Sequence, residues 1–101
     1  MANRTPLVDG GWFDASSADG WAESTYHDGR NHVSRATGDQ FHHEHLYRTA
    51  KGQWVLNSWS AWQGSAETYE RITPSGAAAW FIRNLQDAPE ALKELVDTME
   101  A

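Results

Sequence analysis

All five histidines fall in the first half of the chain, and three of them share one four-residue run, His42-His43-Glu44-His45. Imidazoles and carboxylates are the side chains that ligate divalent transition metals and that exchange protons near neutral pH. On a β-strand successive side chains alternate between faces, so His43 and His45 project together, and such a pair can offer two nitrogens to one metal ion. His32, with His27 upstream of it, is the candidate third ligand. Glu44 and His42 point the other way, so the run cannot close on one ion without a bulge. The metal reading is therefore His43, His45 and His32 around a divalent transition metal, in a metal-binding protein or a metal-dependent enzyme. Solvated polar positions on a sheet face are the commoner use of such residues, because no third ligand stands at a recognisable spacing.

Other chemistries find less to work with. The chain has no cysteine, hence neither thiolate nucleophile nor disulfide framework. There is no G-x-S-x-G elbow, and Ser58 and Ser60 lie among tryptophans. Gly10-Gly11 lacks both the P-loop lysine and the dinucleotide-binding spacing. No catalytic residue is singled out and no cofactor is expected outside the metal reading, so the sequence leans away from an enzyme.

The histidine run sits in the segment with the strongest sheet signal. Residues 40–49 and 53–62 are rich in aromatic and β-branched types and are separated by Ala50-Lys51-Gly52, a hairpin loop whose glycine can take positive φ. Three of the six tryptophans, Trp54, Trp59 and Trp62, fall in the second of these strands. Period two puts Trp54, Leu56 and Trp62 on one face, with Val55, Trp59 and Ala61 on the other. Apolar bulk on both faces predicts a strand covered on both sides, or covered on one and open to a partner on the other. Residues 67–73 read as a further strand led by Tyr69, and a short one is expected around His32–Arg35 after the Asp28-Gly29 turn.

Helical spacing takes over after Thr73-Pro74, an N-cap followed by the first helical position. Ala77, Trp80, Phe81 and Leu85 then form a stripe that stops near Asn84. A second helix is predicted from Asp87-Ala88-Pro89-Glu90, which has capping-box spacing, with Leu92, Leu95, Val96 and Met99 as its buried face. Its outer face carries Glu94, Asp97 and Glu100 toward the C-terminal end, where the helix dipole favours cations instead. Residues 1–20 read as an irregular arm pinned by Trp12 and Phe13. The fold class is α+β: a single domain over residues 1–101, with a three- or four-stranded antiparallel meander over 30–73 and two helices over 74–100.

A chain of 101 residues suits one core. Its net charge is −6, of which residues 1–62 carry −2 (five Lys/Arg, seven Asp/Glu) and residues 63–101 carry −4 (three against seven). That balance opposes direct nucleic-acid binding, which draws its affinity from neutralised phosphates. Aromatic residues on a sheet can stack bases, but here they lack a basic groove. No apolar run approaches a membrane span, no secretory signal is legible at the start, and a cytoplasmic location is expected.

The block L-Y-R-T-x-x-G-x-W-V-L, followed by W-x-x-W-Q-G and by A-A-x-W-F-I-R-N, resembles a family of small uncharacterised bacterial proteins. The N-H-V-S-x-A-T-G segment from Asn31 to Gly38 is similar to part of the same pattern, and the resemblance spans residues 30–84. It implies no activity, cofactor or site residue.

The functional expectation is thus a non-enzymatic protein–protein interaction module, a small acidic regulator or inhibitor. A phage- or mobile-element-encoded inhibitor of the anti-CRISPR type fits the size and charge. The expected contact surface is Trp54, Trp59, Trp62 and Tyr69 on the sheet with Glu94 and Asp97 on the last helix. The expected partner is a protein with a basic surface, or a second copy in a homodimer.

Overall fold

A computed structural model describes residues 3–62, 64 and 66–101. At its centre are strands β6 (His42–Arg48) and β7 (Trp54–Ser60), joined by the expected hairpin. Thr49 closes the turn by donating its amide to the Gln53 carbonyl, and Gly52 sits at φ +84°, where a side chain would be strained. β8 (Thr68–Ile72) pairs with the far edge of β7, and β3 (Asp19–Ala22) with the far edge of β6. All pairings are antiparallel, in the order β3-β6-β7-β8, and two helices follow. The fold is the expected α+β class.

The sheet begins earlier than residue 30, because its first strand is β3. β4 (Thr25–His27) and β5 (His32–Ser34) instead form a separate hairpin, turning at Asp28-Gly29. The arm is also more regular than its polar composition suggests. β1 (Thr5–Pro6) pairs with β2 (Trp12–Phe13), and Asp14 caps a short 3₁₀ turn at Ala15–Ser17. These two-to-four-residue pieces have no room to display a period, so pairing partners, not local pattern, define them.

One face of the sheet presents Leu46, Trp54 and Leu56 to α1 (Pro74–Arg83), whose Ala77, Ala78, Trp80 and Phe81 are buried against them. Trp54 lies 5.7 Å from Trp21 and 6.3 Å from Phe81 between ring centroids. The other face buries Val55 beneath Leu7 and Phe13 of the arm, with Tyr47 and Tyr69 alongside. β7 is therefore covered on both sides for part of its length.

α1 starts as expected: Thr73 Oγ1 accepts the Gly76 amide at 3.1 Å, with Pro74 in the first turn. It ends on Asn84, which is fully buried. Asn84 Nδ2 donates to the Trp80 carbonyl, while its Oδ1 accepts the Ser24 amide, both at 2.8 Å. Leu85 leaves the stripe: it sits at φ +54° and is 75% exposed, because the helix has already ended. The last helix is shorter than its pattern implies. A 3₁₀ turn at Glu90–Leu92 precedes α2 (Lys93–Thr98), and no side chain caps it at Pro89, so the capping box does not form. Leu92 is buried and Leu95 and Val96 pack on the core, whereas Met99 is exposed at the end of a helix too short to carry it inward. Burying Leu92 contributes about 1.5–3 kcal/mol. Among the described residues no helix is long and apolar enough to cross a membrane.

Candidate functional site: the open end of the outer sheet face

The arm covers the outer face around Val55, Tyr47 and Tyr69, with the Phe13 and Tyr69 rings 5.7 Å apart and the Val8 amide donating to the Tyr69 carbonyl. Further along, the β6–β7 register sets His43 opposite Trp59 and His45 opposite Asn57, while β8 brings Tyr69 opposite Asn57. His43 and His45 thus share a face, as alternation requires, and Glu44 lies on the other.

Glu23, just past the end of β3, organises this area. Its Oε1 accepts the Glu44 amide at 2.7 Å and the Ser34 hydroxyl at 2.8 Å, and its Oε2 lies 2.7 Å from His43 Nδ1. The Glu23 side chain is only 10% exposed. A carboxylate only accepts, so Nδ1 of His43 is the donor in this hydrogen bond. The His43 ring stacks on Trp59, with centroids 5.7 Å apart and planes at 28°.

His45 packs at a tilt on Tyr47, with centroids 4.7 Å apart, and its Nε2 stands 3.0 Å from where a Cβ on Gly20 would be. Only glycine at position 20 leaves that ring undisturbed. Burial holds the His45 pKa below its ordinary value, against the opposing pull of the Glu23 charge. On the β8 side, Glu67 Oε1 accepts both the Tyr69 hydroxyl at 2.6 Å and Asn57 Nδ2 at 3.0 Å. The Glu67 hydrogen bond, helped by burial, pushes the Tyr69 pKa up to about 12.

At the same end of the hairpin, Trp62 packs on Phe41 with centroids 4.6 Å apart, and the Ala61 amide donates to the Phe41 carbonyl. Trp62 is 57% exposed and Trp59 36%. His42 turns to Asp39 at 2.8 Å. The Phe41 amide and then His42 hold the Asp39 carboxyl below its usual range. On the inner face, Glu44 Oε1 accepts the Trp80 indole N–H at 3.1 Å. Burial raises the Glu44 pKa, although the Arg83 charge and the Trp80 bond oppose the shift.

Of the residues the sequence nominates, Trp59 and Trp62 lie at this end of the sheet, and Tyr69 stands at its border with the arm. Trp54 does not contribute to a surface: it is 3% exposed and belongs to the core under α1, because period two commits it to the helix-covered face. Glu94 and Asp97 are exposed on α2, in the helical layer on the opposite side of the sheet from Trp59 and Tyr69. The metal set is not assembled either. His32 meets His27 edge to face across the separate hairpin, with centroids 5.1 Å apart, and among the described residues no three His, Asp or Glu side chains are grouped to hold a metal ion. Glu23 and Glu67 were not legible as site residues. Nothing local marks Glu23, which acts on a strand twenty positions away, whereas the two-residue spacing of Glu67 and Tyr69 placed both on one face and was a usable sign.

Comparison with known protein families, curated proteins and solved structures finds no match to this chain.

Proposed function

We propose that this chain is a non-enzymatic interaction module whose contact surface is the open end of the outer sheet face, and that its partner is a protein with a basic surface. One observation carries the reading: the partly exposed Trp59 stacks on His43, with the exposed Glu67 holding Asn57 next along the strand and the exposed Trp62 on Phe41 at the end of the same hairpin. Tryptophan and tyrosine are favoured interface anchors, because they bring large apolar area with few rotors to fix. Carboxylates beside an indole suit a lysine or arginine side chain, which can pair with the acid and stack on the ring. The net charge of −6 draws the same kind of partner at longer range. An inhibitor that occupies a basic nucleic-acid-binding surface, of the anti-CRISPR type, is the form of regulator this chemistry serves best.

The test is a quantitative pull-down from the native host with wild-type protein and with the Trp59→Ser/Trp62→Ser double variant. A partner that is retained by wild type, lost by the variant and released by moderate salt supports the reading. Equal retention by both proteins refutes it. Sedimentation at several concentrations separates a second copy of the chain from a different partner.

A further inference from the structure

The arm and the β6–β7 turn enclose a groove of about 460 Å³ at the other end of the same sheet face. It is separated from Trp59 by four residues of β7, roughly 13 Å. Buried Leu7, Phe13 and Val55 form its floor, and Trp12, 53% exposed, forms one wall. Lys51 on the turn and Arg71 on β8 reach it from two sides. A cleft of this size with an apolar floor, an aromatic wall and a few polar groups has the proportions of a small-molecule site.

The charges around it select the ligand. Lys51 and Arg71 line the groove, and Arg4 lies over the ring of its Trp12 wall at 4.9 Å, in a chain with only eight basic residues. The nearby acids are already engaged. Asp9 pairs with Arg71 Nε at 3.3 Å and accepts the Gly11 amide at 2.9 Å. Asp14 Oδ1 accepts the Ser16 amide at 3.0 Å and the Ser16 hydroxyl at 2.6 Å. Among the described residues neither Arg4 nor Lys51 has an ion-pair partner. Counted against Asp9 and Asp14, the three cations Arg4, Lys51 and Arg71 leave one net positive charge around an apolar floor, in a protein that is acidic overall.

We propose that this groove binds a small aromatic carboxylate. The ring lies on Phe13 and Val55 against Trp12, where aromatic contact adds to area burial, and the carboxylate meets Lys51 and Arg71. This site is independent of the contact surface at Trp59.

The test is titration of isotope-labelled protein with naphthylacetate, and with naphthylethanol and naphthylethylamine as neutral and cationic counterparts of the same ring. Expected are saturable shifts at the Trp12 indole and at the Gly11, Phe13 and Lys51 amides. Naphthylacetate should bind about fivefold more tightly than the alcohol, the scale of one partly solvated ion pair. Lys51→Gln, in an exposed turn, should weaken naphthylacetate and narrow its advantage over the alcohol, with Arg71 supplying what remains. Gly11→Ala should weaken naphthylacetate as well, because its Cβ would stand 2.8 Å from a terminal nitrogen of Arg71. Equal affinity for the three compounds, shifts centred on Trp59 and Trp62, or no saturable shift would each overturn the assignment.

Discussion

The Glu23 carboxylate lies 2.7 Å from His43 Nδ1 while also accepting the amide of the next residue, Glu44, and the hydroxyl of Ser34. One side chain therefore ties the end of β3 to β6 and to the β5 hairpin. Glu23→Ala leaves three donors without their acceptor in a place with little access to water. The expected loss is about 2–4 kcal/mol of unfolding free energy. Glu23→Gln, which keeps one acceptor oxygen, should lose clearly less. Urea denaturation of the two variants checks this, and a Glu23→Ala variant as stable as wild type would mean that the carboxylate is not the organising group.

Asn84 makes a comparable link on the other side of the fold. Asn84→Ala removes the donor to the Trp80 carbonyl and the acceptor for the Ser24 amide from a fully buried site. A loss of about 2–4 kcal/mol is expected. Amide exchange should also quicken at Ser24, a local effect that general destabilisation of the core would not single out.

Glu44 gives the first pH signature. Burial raises its pKa in the folded state, so the folded protein binds the proton more tightly than the unfolded chain does. Its contribution therefore becomes less favourable as pH rises from its unfolded value of 4.5 through the raised folded value. Glu44→Gln keeps an acceptor for the Trp80 indole and removes the buried charge. Melting temperatures between acid and neutral pH should show the variant at least as stable as wild type at neutrality, with a flatter profile above 4.5. A variant that melts well below wild type at neutral pH would contradict this.

His45 has the opposite sign. Its folded pKa is lowered by burial, so the unfolded chain takes up the proton first. Stability is fully present above the unfolded value of 6.5 and is lost as pH falls through the lowered folded value. His45→Gln should remove that slope on the acid side of 6.5 in a series of unfolding curves. An unchanged slope would assign it to another group.

Tyr69 offers a spectroscopic check on the Glu67 cluster. Of the three tyrosines, Tyr69 should ionise late, near 12, in an ultraviolet titration of the phenolate band. Glu67→Gln removes the carboxylate that accepts its hydroxyl proton and should bring that ionisation earlier. A titration that does not move would show that Glu67 does not hold the hydroxyl in solution.

The sequence by itself determined the elements long enough to display a period. The β6–β7 hairpin follows from alternation and from Gly52 in its turn. The start of α1 follows from Thr73 and Pro74, and the shared face of His43 and His45 from strand geometry alone. Short elements were decided by their tertiary partners: β3 is a strand because β6 offers it an edge, and the arm is ordered because Leu7 and Phe13 cover Val55. Helix endings were decided in the same way: Asn84 stops α1 before Leu85, and α2 ends at Thr98, which leaves Met99 outside the core. The roles of Glu23 and of the groove beside Trp12 were likewise beyond any local pattern. Spacing along a chain fixes which face a side chain takes, and only packing fixes which distant group meets it there.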